Sequence, residues 1–505
     1  MKELIFGGKD SSPKSKRRRD YLFLLIICLA TTFIIIAFAH SNSLTTSDEC
    51  SYLILAKGIG SGADYSYGFP DGRPLLPSVI ALFMKTGLDI VTVRTLIPII
   101  FMNSALIATF FLGKTIFGRR EAYVAALFLF TFPFFWDIGN TTLVDLPLSV
   151  FTTLFLLFFY LGVEKERKYF YPAAIFISLA LLTKLSAVLF LLPAFVYLVI
   201  SKKLKTCLKK EFIISVAIIP LIFFGVFGLF RIFMSAQMNL SQIIKASAIQ
   251  FYLFEVLRLG MAPILVLVIF SISKDKRTIY LWLPILTFFL FWAIQGRFFD
   301  LRQFTALFPL VGILVALGFY WLMGRYNRKV VYVLLALLMV VSFVNALYLN
   351  DYHQETIWGI TTLTESVDEL ESDGKIAVDF DSAANYLGAV TYKDIVSAFV
   401  YAGIYPNTRP TYEAITDEWL RENDVSYLVL SAYGELHRTE CEVAIHPRFL
   451  MFIEIPFIEV GEYGQLPPAD CRFESDFYYR CERDYQRVDT IKKGDQTVYI
   501  IYRVD

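Results

Sequence analysis

The sequence predicts a polytopic α-helical membrane protein carrying a small α/β domain at its C-terminal end. Three observations lead there. Of 505 residues, 56% are hydrophobic and only 18% are charged, where an ordinary soluble protein carries about 25% charge. Apolar runs of roughly 20 residues, the length that crosses a hydrocarbon layer, recur through the first 350 positions. The formal net charge of +1 conceals two opposite parts: residues 1–350 hold 34 Lys/Arg and 17 Asp/Glu, and residues 351–505 hold 13 and 29. A basic membrane region is therefore joined to an acidic, soluble one near Asn350. Basic residues sit between apolar runs and form no continuous stripe, which excludes a nucleic-acid-binding class.

Residues 1–20 read as a cytoplasmic basic tail, with the Lys14–Arg19 cluster anchoring the first span on that side. Tyr21 to Ala39 is too long for a signal-peptide core and precedes many further spans, so it reads as an uncleaved signal anchor. Spans then follow near 93–113, 121–136, 143–162, 170–183, 185–200, 212–231, 261–273, 279–294, 303–323 and 330–349, giving about 11 in residues 21–350. With the N-terminus inside, the tail and the loops at 114–120, 164–168, 202–210, 274–277 and 325–329 hold 24 Lys/Arg. The opposite loops, including the long outer loop 40–92, hold 8. That asymmetry obeys the positive-inside rule and sets the expected location: a multi-pass cell-membrane protein whose residues 351–505 lie outside the cytoplasm.

In the acidic part, KIAVDF (375–380) and VSYLVL (425–430) read as buried strands and ITDEWLREN (415–423) as a helix between them. Residues 486–504 read as a hairpin turning at Lys493–Gly494–Asp495. In an oxidising compartment Cys471 and Cys481 are the expected disulfide.

Charged residues beside a membrane are costly unless they have a use, so the few on the outer side are informative. Asp48 and Glu49 stand a few residues past the first span in TTSDECSYLILAKGI. A carboxylate pair there suits a general base or a divalent-metal ligand, or equally the acidic first turn of a helix. Arg73, held before Pro74, suits an anionic group or is a solvated loop cation. Asp145 opens a span of Leu, Val, Phe and Thr and needs a cation, a metal or a proton there, unless it merely caps the helix; Asp137 precedes it in the same loop. Lys184, the sole cation between Tyr171 and Ile200, sits at an outer turn, where it suits phosphate or snorkels. Arg297, Asp300 and Arg302 share the last outer loop, QGRFFDLRQF, where both arginines can face one phosphate or one of them can pair with Asp300.

The order TTSDECSYLILAKGI, GRPLLPSVIALFMKTG, TTLVDLPLSVF, LLTKLSAVLFLLP and FDLRQFTALFPLVGILVALG resembles the GT-C membrane glycosyltransferases, over roughly residues 20–325. Within them it is most similar to the branch containing protein O-mannosyltransferases and the lipid A aminoarabinose transferase. The resemblance implies a glycosyltransferase moving a sugar from a polyprenyl-phosphate donor, of the dolichyl or undecaprenyl type, to a protein, lipid or glycan acceptor outside the membrane. It makes Asp48 the candidate catalytic carboxylate, with Glu49 and Tyr52 keeping a DExxY pattern. Arg73, Lys184 and Arg302 become donor-phosphate ligands, and Asp145 the second acidic position. A divalent metal bridging Asp48 and Asp145 is the one cofactor in view; none organic is implied. The competing reading is a lipid or solute transporter using Asp48 and Asp145 as ion sites. Against it, no repeat symmetry is visible and the polar residues gather on one face.

Overall fold

The computed structural model describes residues 13–39, 47–61, 73–139, 141–230, 262–295, 301–352, 360–371, 374–379, parts of 384–398, 415–431, 448–449, 453–454, 476–493 and 496–504. They form two compact units. One comprises Met1–His40, Tyr65–Asp351 and Phe449–Met451; the other comprises Ser41–Asp64, Tyr352–Arg448 and Phe452–Asp505.

From the N-terminus the helices are α1 (Pro13–Ala39), α2 (Ser47–Ser61), α3 (Leu75–Lys85), α4 (Ile90–Ile116), α5 (Arg119–Thr131), α6 (Pro133–Gly139) and α7 (Asp145–Glu164). They continue as α8 (Phe170–Thr183), α9 (Leu191–Ile200), α10 (Lys210–Phe230), α11 (Ala262–Phe270), α12 (Lys276–Gln295), α13 (Phe308–Met323) and α14 (Arg328–Tyr352). All but α2 belong to the first unit. Helices cover most of the described part of each apolar run singled out in the sequence, with a break at Phe132 and 3-10 turns at Leu185–Phe190 and Leu301–Leu307. Among the described residues, four helices are long and apolar enough to cross a membrane: Ser15–Ala37, Thr92–Ile116, Asp145–Glu164 and Arg302–Met323.

Local chemistry explains the helix ends. Asp89 caps α4, its carboxylate accepting from the Thr92 amide at 2.9 Å and the Thr92 hydroxyl at 2.7 Å. Pro133 cannot continue α5, so the run 121–136 breaks after Phe132 into α5 and α6. Inside the bundle, the hydroxyls of Thr152, Thr153 and Ser178 donate to carbonyls one turn back at 2.7–2.8 Å, which removes their cost in an apolar setting. Gly318 of α13 permits a close crossing: a Cβ there would lie 1.9 Å from the Leu267 carbonyl oxygen of α11. The N-terminal helix is held by Asp20, whose carboxylate takes Lys114 and Tyr123 at 2.7 Å and Arg119 at 3.0 Å.

The second unit is an α/β domain. Its strands are β1 (Lys375–Val378), β2 (Ile395–Ser397), β3 (Val425–Ser431), β4 (Gln486–Lys493) and β5 (Gln496–Arg503), in the order β2-β1-β3-β5-β4. β1 runs parallel to β2 and β3, while β5 is antiparallel to β3 and β4. The strand period of two divides the core. Ile376, Val378, Val429 and Ile501 face one cluster with Leu363 and Val367 of α15 (Ile360–Glu369). Ala377, Leu428, Ile500 and Tyr502 face the other, with Leu420 of α16 (Asp417–Glu422) and Cys481 of α17 (Asp476–Asp484). Both strands, the helix and the hairpin expected from sequence are present; of the expected turn, Gly494 and Asp495 lie outside the described residues. The expected disulfide is not formed at Cys481. It is a free, buried thiol on the core face of α17, and burial pushes it up to about 12; Cys471 lies outside the described residues.

A linear division at Asn350 assigns the whole of loop 40–92 to the membrane region. The structure instead groups α2 with the C-terminal residues. Glu49, Tyr52, Leu53 and Ala56, spaced as one helical stripe, are fully buried. Lys57 donates to the carbonyls of Gly388 at 3.1 Å and Thr391 at 2.9 Å. Burial pulls its amine down to about 8, partly opposed by Asp368.

Candidate active site

In the first unit the site is built where α7 begins, α8 ends and the segment before α13 enters the bundle. Asp145 is the first residue of α7. The helix has Val144 as its N-cap and no side-chain cap bond, so capping is not what the carboxylate does. Its Oδ1 accepts from the Lys184 ammonium at 2.7 Å, and the same ammonium donates to Gln303 Oε1 at 2.6 Å. Asp145 is 2% exposed and Lys184 7%, so the lysine does not snorkel to water.

Backbone geometry delivers each group. Lys184 follows the last residue of α8 in extended conformation, φ −162° and ψ 130°, between that helix and a 3-10 turn at Leu185–Phe190. Its amide still donates to Ala180 at 2.9 Å and its carbonyl accepts from Ala187 at 3.0 Å, so the break leaves neither group unpaired. Gln303 and Arg302 come from a second 3-10 turn, Leu301–Leu307, fixed by the Thr305 hydroxyl donating to the Arg302 carbonyl at 2.6 Å. Arg73 precedes Pro74, where α3 starts. The positive charges of Arg73 and Arg302 both act on the Lys184 ammonium. Four residues singled out separately in the sequence, Arg73, Asp145, Lys184 and Arg302, therefore share one electrostatic site.

The buried carboxylate of Asp145 is compensated by a lysine, which answers the demand for a cation that the sequence raised. Among the described residues no group of three or more His, Cys, Asp or Glu could hold a metal ion. Asp48 is the second residue of α2 and Glu49 the third, buried in the second unit. The Asp48 side chain lies outside the described residues, as does that of Asp137 on α6; Arg297 lies outside them altogether. A metal shared by Asp48 and Asp145 thus stays an expectation of the sequence.

Sequence reasoning missed Gln303, a neutral residue adjoining Arg302 whose only signal is its polarity at the mouth of an apolar run. It also passed over Lys57, the single cation in the run SYLILAKGI.

A family model described as dolichyl-phosphate-mannose-protein mannosyltransferase matches residues 71–229. No curated protein sequence matches the chain. Among solved structures, the chain is similar to ArnT from Cupriavidus metallidurans bound to undecaprenyl phosphate. The identity is 14% and the TM-score 0.64, over 94% of this chain and 97% of that one. It is also similar to the archaeal oligosaccharyltransferase AglB from Archaeoglobus fulgidus in complex with an inhibitory peptide and a dolichol-phosphate, at 13% identity and TM-score 0.51, over 94% and 80%. The arabinofuranosyltransferase AftD from Mycobacteria matches at 13% identity and TM-score 0.55, over 98% of this chain and 42% of that one. Likeness at these identities is likeness of fold: the chain shares its fold with ArnT, AglB and AftD, in keeping with the resemblance carried by the motif order.

Proposed function

We propose that the chain is a membrane glycosyltransferase that moves a sugar from a polyprenyl-phosphate carrier to an acceptor hydroxyl on the outer face of the membrane. The observation that carries this reading is the Lys184 site. A lysine is buried among apolar helices against one carboxylate, and two arginine charges act on it. Such a field favours a phosphate, and its low-dielectric surroundings strengthen each contact. The neighbours support the choice of carrier, since ArnT was solved with undecaprenyl phosphate and AglB with a dolichol-phosphate.

In the reaction, the acceptor oxygen attacks the anomeric carbon as the bond from that carbon to the phosphate oxygen breaks, with inversion. Asp48, at the start of α2, takes the proton from the acceptor hydroxyl. Arg73, Lys184 and Arg302 hold the carrier phosphate and stabilise the charge it gains on leaving. Asp145 and Gln303 fix the Lys184 ammonium in position, and Asp145 keeps its charge tolerable when no donor is bound. The polyprenyl chain lies in an apolar groove lined by the abundant phenylalanines.

Replacing Asp48 by Asn separates an enzyme from a protein that only presents the carrier. The variant is expected to bind the polyprenyl-phosphate sugar as the wild type does while losing transfer by about a hundredfold or more. Transfer at the wild-type rate would remove Asp48 from the mechanism.

A further inference from the structure

Two basic turns of the first unit lie side by side at one end of the helix bundle, away from the functions assigned above. The first joins α7 to α8 and contains Lys165 and Arg167; the second joins α9 to α10 and contains Lys202, Lys205, Lys209 and Lys210. They are locked together by Lys203, which donates to Glu164 Oε2 at 2.9 Å and to the Val163 carbonyl at 2.8 Å. The rings of Phe170 and Phe212 meet edge-on just behind the turns, with centroids 5.2 Å apart.

Two of the three acids beside these turns are committed, and the third, Glu211, stands next to Lys210 in the first turn of α10. Glu164 takes Lys203 and, at 3.4 Å, Lys276, while Glu166 takes Lys168 at 2.6 Å. Among the described residues, the six cations named for the two turns form no ion pair, and all six are exposed. Lys202 stands at φ 56°, closing α9 where glycine is the cheaper residue.

Apolar side chains interleave with these cations. Leu204 is 45% exposed and Leu208 79% exposed, on a 3-10 turn, Leu204–Leu208, that also carries Lys205. Water alone satisfies the lysines and leaves the leucines uncovered. The boundary between headgroups and acyl chains satisfies both.

We infer that the paired turns at 165–168 and 202–210 form a binding surface for anionic phospholipid headgroups, with Leu204 and Leu208 entering the acyl boundary between them. The surface is separate from the Lys184 site, and the inference stands whether or not sugar transfer is the activity.

The test uses the full chain reconstituted in phosphatidylcholine with spin-labelled phosphatidylglycerol or spin-labelled phosphatidylcholine as probe, reading the motionally restricted fraction by electron paramagnetic resonance. Phosphatidylglycerol is expected to be preferred about fivefold at low salt, the factor that one lysine at such a surface supplies, and the preference to fade in 1 M salt. The exposed quadruple variant K202Q/K205Q/K209Q/K210Q is expected to lower the ratio, with Lys165 and Arg167 keeping part of it. Because that variant could disturb the turn, K165Q/R167Q on the neighbouring turn is measured too and is expected to lower the ratio by itself. Inorganic phosphate at millimolar concentration is expected not to displace the lipid. Equal restriction of both lipids by the wild type, an unchanged ratio in both variants, or displacement by free phosphate would each overturn the inference.

Discussion

Asp145→Asn leaves the Lys184 ammonium buried with Gln303 as its hydrogen-bond partner among the described residues, and Lys184→Met leaves a buried carboxylate without its cation. The pair is 2.7 Å apart, and its side chains are 9% and 4% exposed for lysine and aspartate. Removing one member of such a pair costs about 3–5 kcal/mol, because the other stays charged in an apolar setting. Removing both charges together relieves that penalty, so Asp145→Asn/Lys184→Met is expected within about 1–2 kcal/mol of the wild type. The assay is a double-mutant cycle on the unfolding free energy of the detergent-solubilised chain. Single variants within about 0.5 kcal/mol of the wild type, or a double variant as damaged as both singles together, would refute the pairing. Donor turnover gives an independent reading. The double variant regains stability but is expected to stay inactive, because it lacks the ammonium proposed to hold the phosphate. Wild-type turnover in the double variant would reduce the cluster to a structural pair.

Other expectations follow from particular contacts. Lys57 has its amine pulled down to about 8 by burial, from 10.5 in the open chain. Its charged form therefore costs stability fully below pH 8, and the cost is relieved as pH rises from 8 to 10.5. Measured against Lys57→Met, which does not titrate, the wild type should gain at least about 1 kcal/mol over that window in a pH series of unfolding curves. A constant difference would place Lys57 in water. Gly318→Ala must push α13 away from the Leu267 carbonyl, and an unfolding loss of about 1–3 kcal/mol is expected; a neutral substitution would show that α11 and α13 do not cross so closely. Cys481 should react with a maleimide only after denaturation, and reducing agent should leave stability unchanged.

The helical runs were legible because a stretch of some 20 apolar residues has few alternatives in lipid. The breaks inside them were not legible: the run 121–136 reads as one span across Pro133, which ends α5, whereas Pro98, Pro220 and Pro284 stand inside helices without ending them. The 3-10 turn at Leu185–Phe190 has the same composition as the helix it precedes, so nothing in it signals the change. In the α/β domain β1 and β3 show as short apolar runs buried almost throughout, and the hairpin shows by its turn residues, whereas β2 has three residues and too little pattern to read. Asp145 and Lys184 each stood out as a costly charge, but their pairing joins positions 39 apart. The hold of Lys57 on Thr391 spans 334 positions and is a product of tertiary folding alone.

The most direct measurement incubates purified protein with a panel of polyprenyl-phosphate sugars and follows free polyprenyl phosphate in the wild type and in Asp48→Asn. The account predicts release from one class of donor that requires both an added acceptor and Asp48. No release from any donor by folded protein, or release indifferent to Asp48 and acceptor, would contradict it.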